Sequence, residues 1–387
     1  MSLKKMIGKL HLWLGLASGF VVFMVAITGC IYAFEHEIQE LSQPYRFVQE
    51  IGDQALPPTR IAELAEAAAP GMQARRVYYE QPQNSAMVLF YSSTASYYYI
   101  AFVDQYTGEV LKVKNLRKDF FTIILYLHIS LLLPYGETII GVASLIFLVL
   151  LISGIYLWWP RNKNKKALKQ KFRIKWDARW RRKNYDLHSV FGFYASWIAI
   201  FVVITGLIWS FDWMKQAVHY AFSGGDKLAA TTVPTSAPKD SSRQTAIDQL
   251  PLVDQAWYMV LDEDPEILGT AVYLPYTPTD VITIYSSPDY GKFGRLDWRY
   301  FDQYTGEEYP VDHYRGRHTE ATVAQKVLKL NYDIHTGGVF GLAGKFIAFF
   351  SSLFVASLPI TGFLLWRGRR KKQKTKKKSV ASEVAVA

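Results

Sequence analysis

Hydrophobic positions along this chain fall into two regimes. In four stretches they run almost unbroken, approximately from 10 to 35, 136 to 159, 187 to 212 and 343 to 366. An α-helix needs about 20 apolar residues to cross a bilayer core, so each stretch predicts a membrane span. Between them, apolar and polar residues alternate over shorter distances. "PPTRIAELAEAAAP" (57 to 70) predicts a short helix with proline at its start. "RRVYYE", "AMVLFYSS" and "SYYYIAFVD" predict strands, being rich in tyrosine and β-branched residues. "QYTGE" (105 to 109) predicts a hairpin turn, with Gly108 at the position that needs a positive φ. The later interval predicts a helix near 243 to 250 and strands around 257 to 261, 270 to 275, 281 to 286 and 295 to 302. "TTVPTSAPKDSS" (231 to 242) reads as a polar linker.

The pattern is written twice. "LHLWLGLASGFVVFMVAITGCIYAFE" (10 to 35) aligns without a gap on "LHSVFGFYASWIAIFVVITGLIWSFD" (187 to 212). "VDQYTGEV" (103 to 110) answers "FDQYTGEE" (301 to 308), and "ISGIYLWWPR" answers "ITGFLLWRGR". The unit is span, outer segment, span, used twice in parallel orientation, an arrangement that places sites at the repeat interface. "ITGC" at 27 resembles a lipoprotein cleavage site before Cys30. It recurs as "ISGI" at 152, "ITGL" at 204 and "ITGF" at 360, so the shared feature is the hydroxyl–glycine pair and Cys30 reads as an uncleaved helix residue. Thr28, Ser153, Thr205 and Thr361 are expected to bond back to their own helices, with the glycines allowing close packing.

Charge orients the spans. Of the 44 basic residues, 24 lie in three blocks: Lys4 to Lys9, Arg161 to Lys183 and Arg367 to Lys378. Each block abuts a span, and the intervening segments are acidic on balance. By the positive-inside rule both termini are cytoplasmic and the two large segments face outward. Blocks placed this way, without a binding motif, argue against nucleic acid. A single cysteine excludes an intrachain disulfide, a cysteine-ligated iron–sulfur cluster and a covalently attached haem.

Four of the eight histidines occupy matched positions, His11 with His188 and His128 with His335. The first pair falls near the cytoplasmic face and the second near the outer face. Two imidazoles facing each other across helices are what a six-coordinate b-type haem needs, so these four are the candidate cofactor ligands, as axial ligands of haem iron. Zinc, which wants three or four protein ligands, is served poorly by such pairs. Gly15, Gly192, Gly337, Gly338 and Gly341 lie beside these histidines and suit either helix packing or a flat macrocycle. His36, in "FEHEI" with Glu35 and Glu37, and His219 lack repeat partners and read as interfacial residues. His313 and His318, in "DHYRGRH", read as surface residues. The sharper alternative makes His313, with Arg315 and Arg317, an outer-face contact for an anionic substrate.

Together these motifs resemble the PepSY-associated transmembrane helix family over essentially the whole chain. The resemblance rests on "KLHLWLGLASG" with "AITG", "LYLH", "ISGIYLWWPR", "YDLHSVFGFYASW" with "VITG", "YDIHTGGVFG", "PITGFLLWRGR" and the "DQYTGE" turns. It implies a bacterial inner-membrane protein with a four-helix transmembrane bundle and two extracytoplasmic α+β PepSY-like domains built as an internal duplication. The expected parts are transmembrane helix 1 (1-36), outer domain 1 (37-120), helix 2 with a preceding interfacial segment (121-160), a basic loop (161-186) and helix 3 (187-213). Outer domain 2 (214-330), helix 4 with its interfacial segment (331-366) and a basic tail (367-387) complete the chain. The family includes di-haem reductases that release iron from ferric siderophores, which implies two non-covalent haem b groups, each bis-histidine, and a ferric siderophore or other ferric chelate as substrate. No nucleotide-binding motif appears, so the electron donor would be a separate cytoplasmic flavoprotein or quinol. The alternative is a non-enzymatic, membrane-anchored PepSY binding or inhibitory module, in which the four histidines are structural.

Overall fold

A computed structural model of the protein describes residues 2–160, 165–237 and 250–384. The helix expected near 243 to 250, the linker from residue 238 onward and the first residues of the basic block after Pro160 lie outside these residues. The described chain forms two compact units, one of helices and one built on a sheet.

The helical unit comprises residues 1–34, 124–214 and 334–387. Its long helices are α1 (Leu3–Tyr32), α5 (Gly136–Trp158), α7 (Trp180–Ser210) and α12 (Gly341–Val384). All four carry a stretch long and apolar enough to cross a membrane. Helix α1 packs against α5 and α12, and α7 packs against the same two, so α1 and α7 stand diagonally opposite. The shared core is Val22, Ala26, Phe147, Leu150, Leu151, Ala195, Ala199, Val355 and Ala356. Small residues bring the helices close: an ideal Cβ on Gly19 would stand 3.3 Å from Pro359 Cβ of α12. Gly15 faces Leu150 and Gly192 faces Leu358, so both repeat-matched glycines serve helix packing. Gly337 and Gly341 have positive φ and shape the entry to α12. Helix α1 runs unbroken through Cys30, whose thiol lies 3.4 Å from the Phe349 carbonyl of α12. Between α4 (Phe120–Ser130) and α5 the chain turns through Leu131, Leu132 and Tyr135, all at positive φ.

The sheet unit comprises residues 35–123 and 215–333. The two segments expected as separate domains share one antiparallel sheet of eight strands, ordered β4-β3-β2-β1-β5-β6-β7-β8. The strands are β1 (Ala74–Tyr79), β2 (Ala86–Ser92), β3 (Tyr97–Val103), β4 (Val110–Asn115), β5 (Gly269–Tyr273), β6 (Val281–Ser287), β7 (Asp297–Asp302) and β8 (Glu308–Tyr309). The seam is β1 against β5, with Val77 opposite Val272. Helices α3 (Pro58–Ala68) and α9 (Leu252–Glu263) cover one face over Val77, Val88, Phe90, Val103, Ile282, Ile284 and Phe301. The strand expected at 257 to 261 is therefore the end of α9. "WYMVL" has strand-like composition, but Ala256, Trp257 and Val260 are buried at helical spacing, and the face they fill needs a second helix beside α3. The two helices are tied directly: Asp254 on α9 accepts hydrogen bonds from the backbone N–H of Thr59 (3.0 Å) and from its hydroxyl. The remaining helices are α2 (Glu35–Ser42), α6 (Lys165–Lys171), α8 (Asp212–Ser223), α10 (Val323–Lys329) and α11 (Asn331–Thr336).

The "DQYTGE" turns are twins. In each, the aspartate carboxylate accepts two backbone N–H groups, Tyr106 and Thr107 for Asp104, Tyr304 and Thr305 for Asp302. The glutamine amide reaches the neighbouring hairpin, Gln105 to Asn84 O (2.6 Å) and Gln303 to Asp280 O (2.6 Å). The tyrosine hydroxyls donate to Pro82 O and Pro278 O. The motif is thus a hairpin lock. Gly108 and Gly306 carry φ of 79° and 71°. An ideal Cβ on Gly108 would also stand 2.6 Å from Leu64 Cδ1. Gly108→Ala should destabilise the sheet unit by about 1–3 kcal/mol, read by denaturant unfolding of the full chain. Unchanged stability would contradict the left-handed assignment.

Candidate functional site

The four repeat-matched histidines meet as two pairs inside the helical unit. His11 of α1 and His188 of α7 come from the diagonal helices, and their ring centroids are 6.5 Å apart with the planes at 87°. His128 of α4 and His335 of α11 lie 6.1 Å apart at 69°. Seventeen residues separate His11 from Thr28 on α1 and His188 from Thr205 on α7. At about 1.5 Å per residue the two imidazole levels are on the order of 25 Å apart along the helices, close to the thickness of a bilayer core of about 30 Å.

Each imidazole is held by the hydroxyl–glycine motif of the other helix in its own half. His11 Nδ1 lies 2.9 Å from Ser153 Oγ of α5, and His188 Nδ1 lies 2.9 Å from Thr361 Oγ1 of α12. His128 Nδ1 meets Thr28 Oγ1 (3.2 Å) and the Val25 carbonyl (2.9 Å). His335 Nδ1 meets Thr205 Oγ1 (2.9 Å) and the Val202 carbonyl (3.0 Å). The four hydroxyls also bond back to their own helices: Ser153 to Leu150 O, Thr361 to Ser357 O, Thr28 to Met24 O and Thr205 to Phe201 O. A hydroxyl that donates its proton to a carbonyl can only accept from the ring, and a carbonyl can only accept. The hydroxyls put the proton on Nδ1 in all four histidines, and in His128 and His335 the carbonyls do so as well. A neutral imidazole of that tautomer presents the Nε2 lone pair, the usual metal-binding form when Nδ1–H is held by a neighbour. The glycine after each hydroxyl makes room. Ideal Cβ atoms on Gly29, Gly154, Gly206 and Gly362 would stand 3.1, 3.4, 3.4 and 3.2 Å from the Cε1 of His128, His11, His335 and His188.

Two imidazoles bound in trans to one metal through Nε2, at about 2.0–2.1 Å each, have centroids roughly 6–6.5 Å apart, and the observed separations are 6.5 and 6.1 Å. Among the described residues no group of three or more histidine, cysteine, aspartate or glutamate side chains is placed to hold a metal ion. The pairs therefore suit an ion whose other ligands come with it, as in a macrocycle, and not a zinc site made by protein alone. A cavity of about 370 Å³ lies beside His11, lined by Ile7, Leu10, Leu14, Val149, Ile152, Ser153 and Tyr156. Buried Asn184 donates to the Thr361 carbonyl (3.0 Å), which fixes α12 against α7 at the level of His188. Trp209 stands edge-on to His335 with centroids 5.0 Å apart.

The other histidines belong to the sheet unit and have structural partners. His36 lies 3.5 Å from Glu40 and edge-on to Tyr290. His219 is buried and its Nδ1 meets the Asp226 carbonyl. His318 Nδ1 meets the Gly294 carbonyl. His313 is only 4% exposed, which corrects its reading as a surface residue. Its Nδ1 accepts the Arg315 backbone N–H and its Nε2 faces Tyr300 Oη at 3.4 Å. Burial first, then the Arg315 charge, hold its imidazole below the usual histidine range. Arg317 is engaged by Glu263 and Glu308, together with buried Arg299. Arg315 instead lies over the Trp298 ring at 4.3 Å.

Four apolar helices enclosing two histidine pairs, with a separate α+β sheet unit, define a membrane protein of the PepSY-associated type. The pattern of the PepSY-associated TM region matches residues 9–369, and the chain belongs to that family. No curated protein matches it. The role of the hydroxyls toward the histidines was the feature that sequence reasoning missed. Its signal was the number four: four motifs for four matched histidines. Histidine-selective ¹⁵N NMR of the protein should find Nδ1 protonated in His11, His128, His188 and His335, and a proton on Nε2 in any of them would contradict the hydrogen-bond assignment.

Proposed function

We propose that the protein is a transmembrane electron carrier that reduces a ferric chelate. His11 with His188, and His128 with His335, would each hold one non-covalent b-type haem. The carrying observation is the set of four imidazoles paired at metal-bridging separation with Nδ1 engaged and Nε2 free to ligate. When bound, haem supplies one-electron chemistry that no side chain here provides. The residues of the chain then have separate tasks. Ser153, Thr361, Thr28 and Thr205 fix ring orientation and tautomer. Gly154, Gly362, Gly29 and Gly206 let each ring lie against its helix. The apolar core between the two levels excludes water.

Two ligand pairs about a membrane apart make sense as stations, because a bilayer core of about 30 Å is too wide for one fast electron transfer. The basic blocks support an inner-membrane placement with both termini cytoplasmic and the sheet unit in the periplasm. The donor would then be a cytoplasmic flavoprotein or a quinol, and the acceptor a ferric siderophore or similar chelate, whose hard-oxygen ligands hold iron less tightly once it is reduced. The matched halves are read as the product of an internal duplication.

Protein purified after expression with ample haem should show a Soret band, a sharp split α band on reduction and two haems per chain. His11→Ala or His188→Ala should remove one haem, and His128→Ala or His335→Ala the other. Absence of the band would overturn this reading and leave a membrane-anchored binding module. Ser153→Ala should weaken haem retention by roughly 10–100-fold, the usual effect of losing a group that orients a metal-bound histidine, read by haem transfer to apomyoglobin. Unchanged retention would show that the hydroxyl has no such role.

A further inference from the structure

The face of the sheet opposite α3 and α9 carries a continuous stack of cations and aromatic rings. It starts at a β-bulge. The register between β1 and β2 shifts between Ala74 and Arg76, so Ala74 and Val77 point into the helix-covered core while Arg75 and Arg76 turn to the other face together. Arg76 lies opposite Tyr273 on β5, with its guanidinium 3.5 Å from the ring centroid. Tyr273 meets Tyr285 of β6 at 4.8 Å, and Tyr285 stacks on its cross-strand partner Trp298 of β7 at 4.1 Å. The Arg315 guanidinium closes the far end, 4.3 Å from the Trp298 ring. Arg75 lies 3.6 Å from the exposed Tyr276 ring.

These three arginines differ from their neighbours. Arg295, Arg299 and Arg317 each form an ion pair with a carboxylate. Among the described ion pairs none involves Arg75, Arg76 or Arg315. Asp280 feels the Arg75 charge but is already engaged by the N–H groups of Tyr276 and Thr277. Arg76 donates through Nη1 to Tyr78 Oη at 2.5 Å. Its Nε, and Nη1 of Arg75, are buried without an acceptor. Buried donors of this kind cost free energy unless something fills them. A guanidinium resting on an aromatic ring can still give its edge N–H groups to a carboxylate or phenolate.

We propose that this face is a binding site for an anionic aryl-oxygen ligand, of catecholate or salicylate type, with Arg76 and Arg315 meeting its charge and the edges of the Tyr273, Tyr285 and Trp298 rings lining its aromatic part. That the ligand carries iron rests on the function proposed above; the surface itself asks only for negative charge beside a flat aromatic ring.

The test uses the full chain in detergent and a gallium(III) tris-catecholate complex, which is anionic and cannot be reduced, titrated by calorimetry. Saturable binding that weakens about tenfold in Arg315→Gln and in Arg76→Lys is expected, the order of one cation–π contact with its charge. Arg317→Gln, whose parent residue is paired with carboxylates, should bind as the parent does. The neutral gallium(III) tris-hydroxamate complex should bind at least tenfold more weakly. No binding of the catecholate complex, equal binding of the neutral complex, or equal loss in Arg317→Gln would each overturn the site. Because gallium accepts no electron, the result does not depend on haem. Binding without a Soret band would sink the electron-carrier reading and leave this site, and the converse result would do the reverse.

Discussion

An imidazole placed among apolar helices must find a partner for its N–H, because an unsatisfied polar group in a hydrocarbon setting costs several kcal/mol. Here that constraint is met four times in one way. Each Nδ1 is engaged by the neighbouring helix of its half: α5 for His11, α1 for His128, α12 for His188 and α7 for His335. Each hydroxyl is satisfied in turn by a carbonyl three or four residues back in its own helix. The bonds therefore couple ring orientation to helix register. Sliding α5 one turn past α1 would strand both His11 and Ser153. The same contacts require glycine after the hydroxyl, since a side chain there would push the ring away. Helix register, ring orientation and the free Nε2 all follow from this one arrangement.

The sheet unit follows a different physical logic. An antiparallel sheet with one apolar face needs a cover, and α3 and α9 supply it, tied to each other by Asp254 and Thr59. The β1–β5 seam joins two four-stranded halves into one layer, so neither half leaves its first strand as an exposed edge. The two locked hairpin turns, each with a glycine at positive φ and a glutamine clasping the next hairpin, hold the outer strands in register. The face opposite these helices is where the bulge at Arg75 gathers charge and aromatic rings.

Much of this was legible in the chain itself. The four spans, the strands β1 to β3 and β5 to β7, helix α3 and the hairpin at Gly108 follow from local pattern, because apolar run length, alternation and turn residues report backbone geometry directly. The pairing of histidines was legible through the repeat. Three things were not. Residues 257 to 261 looked like a strand because composition outweighed a helical spacing visible only once the core is known. His313 looked exposed because polar neighbours surround it in sequence, whereas the sheet buries it beside Tyr300 and Trp298. Arg317 looked available because its carboxylates, Glu263 and Glu308, are distant in sequence.

By itself, the sequence determined that the protein has four membrane-length helices, a twofold pattern and four matched histidines, since these depend on residues near one another in the chain or on its self-similarity. Tertiary structure alone decided which hydroxyl meets which histidine, and therefore which ring nitrogen carries the proton. It alone joined the two strand-bearing segments into one sheet and sorted arginines with carboxylate partners from those on aromatic rings. Each of these is set by contacts between residues tens to hundreds of positions apart, and a linear pattern carries no record of who the distant partner is.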